Sequence, residues 1–260
     1  MNVVKVCGGL GNQLFQYAFG RAQMENGLDV GFNINWYGRS KNTNRPYILD
    51  KFNIKVKMSD FLPQKNILEK YVKYNPNMTN VTSFNFHGYW QDPRYFKHIL
   101  PILKEEFKLK KEFYTKEFLE WKEIILNESA SISIHVRRGD FKDKINILTK
   151  DYYRWAIYNT IESSSNIFVF SDDIDWCIKN FIDDTGWECQ FIHLNEYLDF
   201  ELMRLCKHNI IANSTFSWWA AMLNDNPNKI VVAPKEWRLT EEQQNEMCLE
   251  FLHPEGWLIL

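Results

Sequence analysis

SISIHVRRGDF, residues 131–141, is the stretch that decides the architecture of this chain. Ile132, Ile134 and Val136 alternate with Ser133, His135 and Arg137, a period of two that predicts a strand with one buried face. The strand runs into Arg138-Gly139-Asp140, where glycine permits a sharp turn. Two adjacent arginines at the carboxyl end of a core strand are costly unless an anion meets them, and in open α/β sheets that end is where ligands sit. The alternation puts His135 and Arg137 on one face and starts Arg138 on the other. Arg138 can pair with Asp140 as a structural ion pair, whereas Arg137 is expected to bind an anion.

Outward from this strand the pattern becomes regular. Helices are predicted at 150–163, 172–181, 197–207 and 215–223, and strands at 166–170, 190–194, 209–212 and 229–233. Strands separated by helices of this length imply a parallel sheet. In the other direction, 3–7 reads as a first buried strand, followed at once by Gly8-Gly9-Leu10-Gly11-Asn12-Gln13. Leu14, Ala18 and Ala22 then mark a helix face, Gly27 stands as its C′ residue, and 29–33 is a second strand. This is a Rossmann-like opening. Residues 36–65 carry no assignable element; 84–90 is a strand, a helical pattern starts near Pro93, and 112–128 is an amphipathic helix. The domain boundary is placed at 127–130, giving α/β halves of 1–128 and 129–260.

The bulk composition excludes more than it selects. With 31 Lys and Arg against 33 Asp and Glu the net charge is −2, so no basic field for nucleic acid exists. Cys7, Cys177, Cys189, Cys206 and Cys248 are odd in number and widely spaced, which fits a reducing compartment and indicates neither a zinc site nor a disulfide framework. The amino-terminal residues do not read as a signal peptide, and no apolar run approaches the ~18 residues of a membrane span. The expectation is a cytoplasmic protein, in which the N-x-[ST] patterns at Asn77, Asn80, Asn127 and Asn213 are chance.

Three further segments carry chemistry. The glycine turn at 8–13 is neither G-x-G-x-x-G nor a Walker loop, but it feeds a helix N-terminus whose N–H groups can meet a phosphate or sugar oxygen, beside the amides of Asn12 and Gln13. An ordinary tight turn reads equally well from the local sequence. Asn213-Ser214-Thr215-Phe216-Ser217 follows a strand and opens a helix. Ser214 or Thr215 is a fair N-cap there, and the same groups could hold a phosphate oxygen, while Trp218 and Trp219 read as core. Asp173-Ile174-Asp175 is a D-x-D, the metal-binding pattern of many sugar-transfer enzymes. Here arginines already supply the positive charge, so no metal is expected; Asp172 alone could hold a ribose or guanine edge.

These residues together resemble glycosyltransferase family 11, the α-1,2-fucosyltransferases. Four motifs stand in family order: GGLGNQLFQYAFGRA (8–22), GYWQDPRYF (88–96), HVRRGDF (135–141) and ANSTFSWW (212–219). The resemblance implies two Rossmann-like domains in the GT-B arrangement with a cleft between them, 1–128 on the acceptor side and 129–260 binding GDP-L-fucose. It implies inverting transfer to the 2-hydroxyl of a galactoside, with no metal and no cofactor beyond the donor. By the same resemblance Arg137 meets the β-phosphate; Gly9, Gly11 and Asn12 approach phosphate and fucose; and His135 with Asn213, Ser214, Thr215, Phe216 and Ser217 contacts the donor. The catalytic base does not carry over, because the loop reads Phe141-Lys142-Asp143-Lys144 where some relatives have a glutamate; Asp140 is the candidate by position only. A bacterial enzyme of surface-glycan assembly is expected, membrane-associated only peripherally if its acceptor is lipid-linked. The alternatives are another fucosyl linkage, or an idle nucleotide-sugar or glycan-binding protein on the same fold.

Overall fold

The computed structural model describes residues 1–39, 45–55, 57–69, 73–139, 147–160, 166–181, 188–238, 240, 242, 245 and 252–260. They form two units, Met1–Lys110 with Asn245–Leu252, and Lys111–Gln244 with His253–Leu260.

The first unit is a four-stranded parallel sheet of β1 (Asn2–Lys5), β2 (Val30–Asn33), β3 (Lys65–Leu68) and β4 (Phe84–His87) in the order β2-β1-β4-β3. Its main helix, α1 (Leu10–Glu25), is buried almost all round rather than along one stripe, since its polar side chains also find partners inside. Tyr17 Oη donates to Glu106 Oε2 at 2.7 Å and Arg21 Nε to Glu106 Oε1 at 3.0 Å, an ion pair held inside the unit by two helix positions. Gly20 allows the helix to lie on the sheet, for a Cβ there would come within 2.7 Å of the Phe32 ring. The expected C′ role of Gly27 is met at φ +81°. Short elements complete the unit: α2 (Asn35–Arg39), inside the segment with no predicted structure, and α3 (Leu100–Glu106), reached through 3₁₀ turns at Pro93–Tyr95 and Lys97–Ile99.

The second unit holds six parallel strands in the order β10-β9-β8-β5-β6-β7: β5 (Ser131–Val136), β6 (Asn166–Ser171), β7 (Cys189–Ile192), β8 (His208–Ile210), β9 (Val231–Ala233) and β10 (Leu258–Ile259). Its helices are α4 (Lys116–Asn127), α5 (Lys150–Tyr158), α6 (Ile174–Phe181), α7 (Glu196–Leu205) and α8 (Thr215–Leu223). Two sequence expectations change here. All six residues of β5 are buried, so its serine face is interior and not solvated. A parallel sheet is covered on both sides, and the polar face is made tolerable by hydrogen bonds. Asn209 Nδ2 donates to Ser133 Oγ at 2.7 Å and Asn224 Nδ2 to Asn209 Oδ1 at 2.8 Å, while Ser131 Oγ accepts from Lys207 N at 3.0 Å. The opposite face, Ile132, Ile134 and Val136, packs with Tyr153, Ala156 and Ile157 of α5 and Cys177 of α6.

The second change concerns the boundary expected at 127–130. The units divide between Lys110 and Lys111, because α4 buries Phe118 and Ile125 and packs on α7. Helical periodicity reveals an apolar face but not which sheet or helix will cover it.

Candidate functional site

Sheet order determines where each unit can bind. In the second, the chain steps from β5 outward through β6 and β7, then returns as β8 on the other side of β5. The order therefore reverses between β5 and β8, and ligands of open α/β sheets sit at the carboxyl ends of such a strand pair. The segments leaving those two ends are Arg137–Gly139 and Ile211–Ser217, the very stretches singled out in the sequence.

His135, at the end of β5, is 4% exposed and its ring lies 5.2 Å from that of Phe216. Burial, with the Arg137 charge adding to it, lowers its pKa to about 3, so the imidazole is neutral at physiological pH. Its Nδ1 is buried with no hydrogen-bond partner among the described residues. Arg137 follows, half-buried, with Nη1 3.2 Å from Asp172 Oδ2. Arg138 turns to a different carboxylate: its Nε donates to Asp173 Oδ2 at 3.3 Å and its guanidinium lies 3.9 Å from the Trp176 ring centroid. Arg138 is thus held by Asp173 and the Trp176 ring. Asp140, proposed as its partner and as the base, lies outside the described residues.

Asp172 is more occupied than the sequence suggested. Its carboxylate accepts the Arg138 N–H at 2.9 Å and the Gly139 N–H at 3.0 Å, so it anchors the turn that presents the arginines. A Cβ on Gly139 would stand 2.7 Å from Asp172 Oδ2; glycine is needed there for close approach. Asp173 is engaged with Arg138, and among the described residues no group of three His, Cys, Asp or Glu side chains could hold a metal.

At the other strand end, Ser214 is the N-cap of α8, its hydroxyl accepting from Phe216 N at 3.4 Å. Asn213 is buried and donates to Trp237 O at 3.4 Å. Ser217 is corrected to a structural residue: it is fully buried and its hydroxyl bonds Ala212 O at 3.4 Å and Ser214 O at 3.3 Å. Thr215 and Phe216 are half-buried. Trp218 and Trp219 are core, as expected.

The first unit repeats the topology. Its order reverses between β1 and β4, whose carboxyl ends lead into the glycine turn and into Gly88–Gln91. Gly8 needs its positive φ of +83°, and Gly9 is the N-cap of α1. The helix starts at Leu10, so Gly11 is a buried first-turn residue and not part of the loop. From Leu10 to Gln23 every residue is buried except Asn12. Asn12 Oδ1 accepts from Gln91 Nε2 at 2.8 Å, and its Nδ2 lies over Gly8. Gln13 is corrected to a clamp: fully buried, it donates to Gly8 O at 3.1 Å and Pro46 O at 2.9 Å, and accepts from Ile48 N at 2.9 Å.

That clamp brings in a residue the sequence reading missed. A Cβ on Gly9 would lie 2.8 Å from Arg45 Nη1, so a guanidinium stands over the glycine turn. It comes from a stretch without periodicity, where only Arg45-Pro46 offered a signal. Also missed was Trp90, held at φ +56°, a conformation costing an L-residue about 1–2 kcal/mol. Its stacking on Phe19, with ring centroids 4.3 Å apart and planes at 9°, offsets that cost.

Comparison with known proteins agrees with this geometry. The family model described as glycosyl transferase family 11 matches residues 1–257. An alpha-1,2-colitosyltransferase of Escherichia coli is 33% identical, over 98% of this chain and 97% of its own length. The O-antigen biosynthesis glycosyltransferase WbnK of Escherichia coli is 28% identical over 88% and 92%. A galactoside alpha-(1,2)-fucosyltransferase 1 of Saimiri boliviensis boliviensis is 25% identical over 50% of this chain and 40% of its own. Among solved structures, the fucosyltransferase NodZ from Bradyrhizobium aligns with a TM-score of 0.53 at 11% identity, covering 84% of this chain and 91% of that one, a likeness of fold. Two parallel α/β units are the GT-B fold class expected from the motifs. No helix among the described residues is long and apolar enough to cross a membrane.

Proposed function

This chain belongs to glycosyltransferase family 11, and from that membership we propose that it transfers L-fucose from GDP-L-fucose to the 2-hydroxyl of a terminal β-galactoside, with inversion and without a metal. The observation that carries the reading is a neutral His135, its Nδ1 buried without a hydrogen-bond partner among the described residues, two residues before Arg137 at the strand-order reversal of the second unit. In the transfer the acceptor oxygen bonds to the anomeric carbon, the bond to the phosphate oxygen breaks, and the acceptor proton passes to a base. Charge then gathers on the departing pyrophosphate, where a preorganised guanidinium contributes most. Arg137 is that group. Its present partner Asp172 also receives two backbone N–H bonds, so a phosphate can take over the guanidinium without stranding the carboxylate. His135, Asn213, Ser214, Thr215 and Phe216 line the nucleotide-sugar end, and Asn12, with the turn at Gly9, contacts the transferred sugar. Asp140 remains the base by position alone.

The setting is bacterial surface-glycan assembly in the cytoplasm, supported by the O-antigen enzyme among the relatives. A second donor, GDP-colitose, has an observation in its favour: one relative is an alpha-1,2-colitosyltransferase. The test offers both GDP-sugars with a panel of galactose-terminated acceptors and determines the product linkage. GDP release dependent on acceptor, with a 1,2-linked fucoside formed, supports the reading. Preference for GDP-colitose replaces it with the second, and hydrolysis or binding without transfer overturns both.

A further inference from the structure

The glycine turn of the first unit is supported by a carboxylate that no motif contains. Glu69 leaves the end of β3, and its N–H donates to His87 O at 2.8 Å, which sets it beside the end of β4. From there Glu69 Oε2 accepts the N–H of Tyr89 at 2.6 Å and of Trp90 at 3.0 Å. Gly88 makes this approach possible, because a Cβ there would fall 2.4 Å from the Glu69 Cβ. Trp90 adopts its left-handed φ of 56° at this point, and the next residue, Gln91, is 4% exposed and donates to Asn12 Oδ1 at 2.8 Å. The Asn12 oxygen is thereby committed, and its Nδ2 edge is the one turned to the Gly8 side.

We propose that Glu69 is the positioning residue for Asn12, acting through the Tyr89–Gln91 loop, so that the orientation of the Asn12 amide in the active site is set by a carboxylate two hydrogen-bonded links away. The inference rests on the reading of Asn12 as a sugar contact. What matters in Glu69 is reach: both N–H groups converge on one oxygen, a task that an amide oxygen at the same distance also performs. A general base would instead depend on charge and tolerate a shorter carboxylate better than an amide. Burial of Glu69 raises its pKa, opposed by the two N–H bonds, and is compatible with either role.

Glu69→Asp, Glu69→Gln, Gln91→Ala and Asn12→Ala in the full chain separate the possibilities. The side-chain amide resonances of Asn12, assigned by their loss in Asn12→Ala, report its orientation without substrate. Glu69→Asp is expected to move them and to slow transfer at saturating donor by about 10–100-fold, the usual consequence of a misplaced contact. Glu69→Gln restores both towards wild type. Gln91→Ala breaks only the last link and reproduces the resonance shift, which keeps the test available should Glu69→Asp fold poorly. The double variant Glu69→Asp with Asn12→Ala is expected to be no slower than Asn12→Ala alone. The proposal is overturned if Glu69→Asp and Gln91→Ala leave the Asn12 signals in place, if the two defects multiply, or if a folded Glu69→Gln is the more damaged enzyme. A wild-type protein that moves no sugar sinks the functional reading, and the resonances still decide the positioning.

Discussion

Asp172 holds Arg137 and the turn that follows it at the same time: one carboxylate stands 3.2 Å from Arg137 Nη1 and accepts the N–H groups of Arg138 and Gly139 at 2.9 and 3.0 Å. The neighbouring Asp173 takes Arg138 instead. Two consecutive arginines are thus assigned by two consecutive carboxylates to different tasks.

Arg137→Ala is expected to remain folded and lose on the order of 10²–10³ in turnover, the scale of one oxyanion-type donor. Arg137→Lys is crippled as well, since an ammonium cannot reproduce a two-pronged contact with phosphate. Arg138→Ala gives up a partly buried ion pair and a cation–π contact together worth about 1 kcal/mol, hence a Tm lower by about 2–4 °C with turnover retained in the folded fraction. Melting curves and GDP release with a galactoside acceptor measure both. A stable but inactive Arg138→Ala beside an active Arg137→Ala would reverse the assignment.

Asn12 and Gln13 are adjacent amides with opposite expectations. Asn12→Ala should lower turnover with a smaller change in Tm than Gln13→Ala, because Asn12 is only half-buried and its loss deprives a single buried group, the Gln91 amide, of its acceptor. Gln13→Ala orphans Pro46 O and the Ile48 N–H and leaves Gly8 O with the Tyr37 hydroxyl, and should act through stability, at about 1–3 kcal/mol for buried groups left unsatisfied. Thermal scans with parallel kinetics distinguish them, and a folded, inactive Gln13→Ala would return Gln13 to the site.

Chelation should leave activity intact, since in the proposed transfer Arg137 does for the pyrophosphate what a metal does in other enzymes. Loss of turnover in EDTA with recovery in Mn²⁺ or Mg²⁺ would contradict this, and make Asp173 and Asp175 the first ligands to test.

The buried His135 predicts a pH signature of its own. Its native pKa of about 3 lies below the ordinary ~6.5, so between those values the unfolded chain binds a proton that the native chain refuses. This group therefore costs stability progressively as pH falls from about 6.5 towards 3. Asp199 opposes it: burial, with Glu196 and Glu117 nearby, raises its pKa to about 7 against the pull of the Leu194 N–H, which favours the native state as pH falls through the same range. The diagnostic quantity is the difference between wild type and His135→Asn. Urea titrations at pH 7 and pH 4.5 should show the variant losing less stability than wild type over that interval; equal losses would mean His135 is not buried neutral.

The order of strands and helices in the second unit, the N-cap at the start of α8 and the glycine turn were all legible along the chain. Propensity, periodicity and turn chemistry are local, and a residue's neighbours in sequence suffice to reveal them. The order of strands within each sheet is not local. Only pairing across long stretches of chain places β8 beside β5 and β4 beside β1, and those two reversals bring Asn213–Phe216 to His135 and Gln91 to Asn12. The same holds for polar residues inside the motifs. Gln13 and Ser217 look like ligand contacts in a sequence, since an amide or hydroxyl has the same chemistry whichever partner it meets. Burial decides the partner, and in the folded protein these two are fully buried and hydrogen-bond within their own units, while Asn12 and Arg137, which also meet partners there, are only half-buried.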